Sequence, residues 1–380
     1  MIGALNEYAL LVTLPTVRAD FGLSVSDARW MLLAFVIADA AVLVLAGRYG
    51  DRVGRRRTAT IGLALVALGS LACALAPSFA LLLAARVVEG VGAGVLFSGL
   101  LAIISDAVPK EYAGRAFGLW AAVGAVAVLV SPVIGGVLSE YASWRWVLVL
   151  NAAISLVALV AARRVLPPTP PQPSRPTGGT RLTASPNYVS GTAITAVVYA
   201  CATLTFLPLV FFLTVVAGLS PTQTGLAFVA YAIWWLVLPA FTGRLVDRIG
   251  SRLPVVLGLA LGVTGAAIMA GGASAGAVFP ILLGLCLLGI GASFTMPAAN
   301  AVAMAQVPPD LRGEASGVNM TVRMTGSVIG LLISGSLLAA ASRDDVIAGA
   351  RLSWGIAAAV GLVGLLVGLV ALRGAGSASR

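Results

Sequence analysis

The 380-residue chain contains no histidine, only three cysteines and little charge. Cys73, Cys201 and Cys286 stand singly in apolar stretches, so the sequence has neither a disulfide framework nor the spacing of metal ligands. Charged residues make up 10% of the chain, against about a quarter in soluble globular domains, which excludes an ordinary soluble fold. A catalytic constellation is also missing, because no convincing serine nucleophile motif replaces histidine or paired cysteine. We therefore expect neither an enzyme nor a bound metal or cofactor.

Apolar residues dominate the chain instead. They form 59% of it, and the mean hydropathy is +1.02. Runs close to the roughly 20 residues that cross a bilayer recur along the whole length. We place twelve runs, at about 2–17, 28–47, 58–76, 79–104, 115–137, 146–162, 190–217, 223–242, 253–272, 278–303, 315–341 and 352–372. The sequence therefore predicts an all-α membrane protein with twelve transmembrane helices.

The basic residues are divided unevenly between the two sides of this arrangement. With a cytoplasmic N-terminus, 17 of the 24 lysines and arginines lie in inner segments and 5 in outer loops. This bias follows the positive-inside rule. It predicts a multi-pass protein of a bacterial inner membrane with both termini in the cytoplasm. The net charge of +10 then indicates contact with the anionic lipid bilayer and not with nucleic acid.

Two segments of the first half of the chain return in the second half. GRYGDRVGRR at 47–56 is repeated as GRLVDRIGSR at 243–252, and VPKEYAGRAFG at 108–118 as VPPDLRGEASG at 307–317. The shared order and spacing indicate two six-helix halves in parallel repeat, an arrangement typical of transporters. We expect an N-terminal half at 1–164, a cytoplasmic Pro-rich linker at 165–188 and a C-terminal half at 189–380.

Motifs in these halves resemble a known family. The first repeated segment, Gly47-x-x-x-Asp51-Arg52-x-Gly54-Arg55-Arg56, resembles the signature loop of the major facilitator superfamily, and its degenerate copy includes Asp247 and Arg248. Arg86-x-x-x-Gly90 resembles the second motif of that family. The resemblance implies the major facilitator fold, with two pseudo-symmetric six-helix bundles and a substrate site between them.

A motif in the fifth run narrows the resemblance. Ser131-Pro132-x-x-Gly135-Gly136 is similar to the drug:proton antiporter branch, which usually has fourteen helices. Two central helices of that branch are absent, and Ala127 and Ser131 replace two motif glycines, although small residues still permit close helix contact. The branch implies export of small hydrophobic or cationic compounds, including drugs, in exchange for protons. We expect the transporter to be a monomer.

The family also implies a role for the signature loop. Glycines allow a tight turn at 47–57, and Asp51 is expected to meet the N-terminal end of the eleventh helix, predicted near Gly313 or Glu314. A helix N-terminus favours a carboxylate by about 0.3 to 1 kcal/mol, so this contact would form a cytoplasmic gate. The alternative is that the arginines only fix the topology.

Ionisable residues inside the runs are candidates for proton coupling, because each is costly in a membrane. Arg86 and Glu89, at i and i+3, form either a structural ion pair or part of a proton path. Asp39 has no basic residue at i±3 or i±4. It is therefore either a neutral, hydrogen-bonded group or a carboxylate that faces a cavity and exchanges protons. Glu7 in the first run is an equal candidate.

Six further residues are candidates for the substrate cavity: Asn6, Thr214, Tyr231, Trp234, Asn319 and Arg323. Tyr231 and Trp234 fall mid-helix, where they stack on a lipophilic cation or pack against a neighbouring helix. Arg323 binds an anionic group or pairs with a membrane acid. We favour the acid, because three acids face two bases within the runs.

Other functions remain open at this point. A dedicated exporter of a single metabolite or antibiotic is the nearest alternative, and an uptake symporter is more remote. A membrane enzyme lacks a catalytic constellation, and a sensor that does not transport would normally carry a soluble signalling domain.

Overall fold

A computed structural model describes residues 1–107, 112–166, 182, 185–274, 276–308, 311–338 and 342–371. Within the helices, side chains are described except at 44, 47–52, 99–107, 113–118 and 312–313. No β-strand occurs in these described ranges.

The N-terminal helices follow the predicted order. Helix α1 consists of Ile2–Ala4, a π-helical segment Leu5–Ala9 and Leu10–Phe21. It is followed by α2 (Trp30–Val53), α3 (Arg55–Ala74), α4 (Phe79–Ala107), α5 (Ala113–Tyr141) and α6 (Arg145–Val165). A short helix, Val25–Ala28, connects α1 to α2.

The C-terminal helices repeat this series. Helix α7 runs over Pro186–Phe211 and continues as a π-helical segment, Phe212–Val216. Helix α8 is broken into Pro221–Ala227, Val229–Val237 and Pro239–Ile249. The others are α9 (Arg252–Ala273), α10 (Val278–Met304), α11 (Arg312–Leu337) and α12 (Arg343–Ala371).

The lengths of these helices suit a membrane. Among the described residues, nine helices are long and apolar enough to cross a bilayer, and ten are when α8, bent by 45° before Pro239, is taken as one span. Proline at that position removes a helical hydrogen bond, which explains the bend. With α1 and α2, the order matches the twelve predicted runs. The predicted all-α membrane fold is confirmed.

Some boundaries differ from the predictions. Gly47 is helical, because α2 continues to Val53 and the turn that follows is made by Gly54 alone, with φ of 97°. Helix α12 begins at Arg343 and not near 352, because its acidic first turn hides the helical start from an apolar pattern. The predicted linker is helical at its two ends, Val165 and Pro186. Its central residues, 167–181 and 183–184, lie outside the described part.

The chain divides into two compact units: Met1–Leu23 with Asp27–Pro176, and Ser24–Ser26 with Thr177–Arg380. In the first unit, α3 packs against α4 and α6, and α1 packs against α5. In the second, α9 packs against α10 and α12, and α7 packs against α11. The same neighbours therefore recur six helices later.

Glycines bring the equivalent pairs of helices into close contact. A Cβ atom on Gly62 of α3 would lie 2.9 Å from the carbonyl oxygen of Gly92 in α4. One on Gly258 of α9 would lie 2.5 Å from that of Gly291 in α10. Gly258 and Gly291 follow Gly62 and Gly92 by the spacings of the two repeated segments. Close backbone contact is therefore part of the repeated unit.

Candidate functional site

The N-terminal unit contains a buried ion pair on α4. Arg86 and Glu89 are both 0% exposed, and Arg86 Nη1 lies 2.6 Å from Glu89 Oε2. The same Nη1 donates to Asn6 Oδ1 at 2.5 Å, and Nε donates to the carbonyl oxygen of Met31 at 2.9 Å. The guanidinium carbon lies 4.4 Å from the centre of the Phe35 ring. Arg86 thus joins α4 to α1 and α2.

Glu89 extends this pair into a network with α3 and α6. Its Oε1 accepts hydrogen bonds from Ser70 Oγ at 2.5 Å and from Asn151 Nδ2 at 2.9 Å. Asn151 Nδ2 also lies 3.0 Å from Ser70 Oγ, and Cys73 Sγ is 3.9 Å from Glu89 Oε2. Removing one partner from a buried pair of this kind costs about 3 to 5 kcal/mol. The network therefore ties the N-terminal helices together.

Asp39 lies outside this network, on α2. Its side chain is buried, at 4% exposure, and its Oδ1 has no hydrogen-bond partner within the part of the chain that the structure describes. Gly94 of α4 leaves room for it, because a Cβ atom there would lie 3.1 Å from Oδ1. Glu7, exposed on the π-helical segment of α1, interacts electrostatically with Asp39. The two acids that the sequence left as equal candidates therefore lie within electrostatic range of each other.

The motif in α5 packs beside this region of α1. A Cβ atom on Gly135 would lie 2.4 Å from the carbonyl oxygen of Ala9, the last residue of the π-helical segment. Ser131 Oγ donates to the carbonyl oxygen of Ala127 at 2.6 Å, and Pro132 and Gly136 are buried. Small residues in α5 therefore hold it against the part of α1 that carries Asn6 and Glu7.

The signature loops contact the last helix of each half. Arg56 Nη2 donates to the carbonyl oxygen of Arg163 in α6 at 2.5 Å, and the equivalent Arg252 donates to that of Leu369 in α12 at 3.5 Å. Basic side chains near a helix C-terminus complement its carbonyl groups. Gly250, equivalent to Gly54, also has a positive φ, of 80°.

The structure describes the side chains of only some of the remaining gate residues. Arg55 is half-buried, and Asp247 and Arg248 are exposed near the end of α8. Gly47, Asp51 and Arg52 are helical, but their side chains lie outside the described residues. The expected contact of Asp51 with α11, which begins at Arg312, therefore stays a prediction.

In the C-terminal unit, polar side chains of α11 bind to α7 and α10. Asn319 Oδ1 accepts from Thr195 Oγ1 at 3.1 Å, and Asn319 Nδ2 donates to Asn300 Oδ1 at 3.3 Å. Arg323 lies 4.3 Å above the ring of Tyr199 and donates to the Tyr199 hydroxyl. Within its own half, Arg323 therefore contacts a tyrosine, and its pairing with a membrane acid stays a prediction.

The other cavity candidates are held by their neighbours. Tyr231 is buried, and its ring centre lies 4.8 Å from that of Phe206 in an edge-to-face arrangement. Trp234 Nε1 donates to Cys286 Sγ at 3.1 Å. Thr214, in the second π-helical segment, donates to the carbonyl oxygen of Val210 at 2.8 Å. These contacts agree with packing between helices, and a role of these residues in a substrate cavity stays a prediction.

The comparison with known families decides the class of the protein. The profile of the Major Facilitator Superfamily matches residues 1–215 and again 192–379. The chain belongs to the Major Facilitator Superfamily. This superfamily transporter is 28% identical to the uncharacterized MFS-type transporter Rv1250 of Mycobacterium tuberculosis, with 86% of this chain and 66% of that protein covered. It is 27% identical to the multidrug resistance protein Stp of the same species, over 88% of this chain and 73% of Stp.

Its fold is similar to that of a solved transporter. A bacterial homologue of the human lysosomal transporter Spinster, crystallised in an inward-facing and occupied conformation, aligns with a TM-score of 0.78 and 17% sequence identity. The alignment covers 98% of this chain and 94% of that one. The predictions of a facilitator fold and of a transporter, not an enzyme, are therefore confirmed.

The two halves of this transporter differ where the polar network lies. The C-terminal unit has there an apolar cavity of about 40 Å³ among α7, α9, α10 and α12, with Tyr231 of α8 also in its lining. Its lining includes Ala266 and Leu288, which follow Ser70 and Glu89 by the spacings of the two repeated segments. Among the described residues, the polar network thus has no equivalent at this place in the C-terminal half.

Several residues of the transporter's polar clusters were missed as site candidates. Ser70 and Asn151 are single polar residues in apolar runs, a signal that marks hydrogen bonds between membrane helices. The sequence could have identified both by this criterion. Tyr199 also falls mid-helix, away from the interfaces where tyrosine is enriched, so the criterion applied to Tyr231 could have identified it.

Proposed function

We propose that this transporter exports small hydrophobic or cationic compounds, including drugs, in exchange for protons and by alternating access. The observation that carries the proposal is Asp39, a buried carboxyl group near the middle of α2, with one oxygen lacking a partner in the described residues. Intramembrane acids of this kind mark proton and substrate pathways. The likeness to a protein named for multidrug resistance supports export.

The proposed cycle uses Asp39 in two states. Protonated, the group is neutral and tolerated in its buried position; deprotonated, it needs water or a cation as a partner. A proton released inward lets a cationic compound bind, and a proton taken up from outside displaces that compound outward. One proton that moves down about 150 mV supplies roughly 3.5 kcal/mol, or a few hundredfold in concentration.

Glu7 and the α4 network have separate parts in this proposal. Because Glu7 interacts electrostatically with Asp39, the charge on one acid raises the cost of charging the other. Proton release and cation binding are therefore shared between them. The Arg86–Glu89 pair holds α1 in place through Asn6 and keeps the two acids at a fixed separation. Asp51 and its repeat close the cytoplasmic side in this scheme.

Transport in proteoliposomes tests the assignment. We would measure efflux of a fluorescent lipophilic cation under an imposed pH gradient with the native protein, Asp39→Asn and Glu7→Gln. Asp344→Asn is the matched control, because Asp344 is an exposed acid at the start of α12. We expect Asp39→Asn to lose dye transport driven by the gradient and to keep dye exchange without a gradient. Asp344→Asn should transport at the native rate.

The outcomes separate the candidates. If Asp39→Asn transports normally and Glu7→Gln does not, coupling belongs to Glu7. If the native protein moves a single metabolite and no other compound of a broad panel, it is a dedicated exporter. Uptake in vesicles of known orientation would instead show symport. We also propose that the protein is a monomer in the bacterial inner membrane, with cytoplasmic termini. Crosslinking tests the oligomeric state, and labelling of the termini tests the orientation.

A further inference from the structure

Arg323 is a charge in the middle of α11 that forms no ion pair with any acid of its own half among the described residues. The acidic residues of the C-terminal half that the structure describes lie near helix ends; they are Asp247, Glu314, Asp344 and Asp345. Glu314, on the same helix, is nine residues away, about 13 Å along the axis. Charged residues at membrane depth are costly and persist where they bind a partner.

The contacts of Arg323 leave part of its guanidinium unused. One terminal nitrogen donates to the Tyr199 hydroxyl, and the Tyr199 ring lies under the guanidinium carbon at 4.3 Å. The Nε atom is buried and has no partner among the described residues. Guanidinium offers five N–H donors in a planar fork that matches a carboxylate. The ring beneath it holds the fork in one orientation.

The polar neighbours of Arg323 do not compete for this fork. Asn319, one turn earlier, is satisfied by Thr195 and Asn300. Those groups are neutral, so the positive charge is not cancelled within the cluster. An anionic group with two acceptor oxygens would balance this charge and accept from the remaining N–H donors.

We propose that Arg323 binds a carboxylate carried by the transported compound. The inference rests on the proposed function and adds to its substrate class lipophilic compounds that carry a carboxylate. Tyr199 is a positioning residue, because it acts through the guanidinium.

A pair of dyes tests this proposal in proteoliposomes. The probes are a rhodamine with a free carboxylate and the methyl ester of the same rhodamine, which lacks the anionic group. We expect Arg323→Gln to reduce transport of the acid about 10- to 100-fold, the range for a lost hydrogen bond to a charged group, and to leave the ester unchanged. Arg351→Gln, which removes an exposed charge from α12, should change neither dye.

Two more variants separate recognition from folding. Arg323→Lys keeps the charge without the fork, so transport of the acid should fall between the native and Arg323→Gln values. Tyr199→Phe keeps the ring and should reduce transport of the acidic dye by less than Arg323→Gln does. Equal loss of acid and ester in Arg323→Gln, or no loss of either, overturns the proposal.

A binding measurement keeps the inference separate from the proposed function. Thermal stabilisation of the purified protein by naphthoate is compared with stabilisation by naphthamide, in native protein and in Arg323→Gln. Stronger stabilisation by naphthoate that disappears in Arg323→Gln supports the carboxylate site. If no rhodamine is transported in that case, the proposal of drug export fails and the site is still supported. Equal stabilisation by both compounds in native protein overturns the site.

Discussion

Glu89 shows how a charged side chain is retained in the interior of the N-terminal half. It pairs with Arg86 and accepts hydrogen bonds from Ser70 and Asn151. At the positions that follow by the repeat spacing, α10 carries Leu285 and Leu288, and Leu285 is fully buried. The helix packing is therefore compatible with apolar residues at both sites. The ion pair serves to link α1, α3 and α6 to α4.

We expect Glu89→Leu to lower the free energy of unfolding by about 3 to 5 kcal/mol, because it leaves Arg86 buried without its counter-charge. Adding Arg86→Leu should recover most of that loss, since a buried pair replaced by apolar residues is often neutral or stabilising. Unfolding of the purified variants in detergent measures both effects. A double variant as unstable as the single one would show that the remaining polar groups, and not the orphaned charge, determine the cost.

Asp20, beyond the first apolar run, belongs to a second charged contact. Its Oδ2 accepts from Arg145 Nη1 at 2.6 Å and from Trp144 Nε1 at 3.1 Å. The hydrogen bond from Arg145, with a smaller one from Trp144, lowers the pKa of Asp20. Both charged side chains are partly exposed, at 34% and 43%, so solvent screens the pair and its contribution is at most about 1 kcal/mol.

This lowered pKa gives a pH dependence of known sign. The contribution of Asp20 to stability is present above the usual aspartate range and is lost as the pH falls through the lowered pKa of the folded state. Asp20→Asn should therefore be slightly less stable than the native protein at neutral pH, and the difference should disappear in acid. The measurement is the free energy of unfolding of both proteins from neutral to acid pH. A difference between them that grows in acid would contradict the assignment.

At the scale of the helices, α9 and α10 show two different surroundings for glycine. A Cβ atom on Gly258 would lie 2.3 Å from Thr295 Oγ1 and 2.5 Å from the Gly291 carbonyl oxygen. One on Gly262, a turn later, would meet only Leu288 Cδ2, at 3.9 Å. Gly262 lines the apolar cavity. Close contact therefore requires glycine at one position and not at the other.

Gly262→Ala should stabilise the protein by about 0.5 to 1 kcal/mol, because alanine reduces the freedom of the unfolded chain and fills part of the cavity. Gly258→Ala is the matched control and should destabilise it, since the methyl group separates α9 from α10. Thermal unfolding in detergent compares the two. Stabilisation by both variants would mean that the helices adjust freely at this contact.

At the scale of the whole chain, features local in sequence were the predictable ones. The apolar runs predicted the twelve helices, and the spacing of Arg86 and Glu89 predicted that they share a helix face. The network around Glu89 was not predictable as a whole, because Asn151 is 62 residues away along the chain. Only the packing of α3, α4 and α6 brings its members together. Tyr199 and Arg323 are separated by 124 residues and meet for the same reason.

The apolar cavity gives the C-terminal half a mechanical property that its partner half lacks at the equivalent place. Unfolding under hydrostatic pressure is favoured by the void volume that it removes. Where the N-terminal half has hydrogen-bonded side chains, the C-terminal half has about 40 Å³ of space. We therefore expect the C-terminal half to be the more sensitive of the two to hydrostatic pressure at this position.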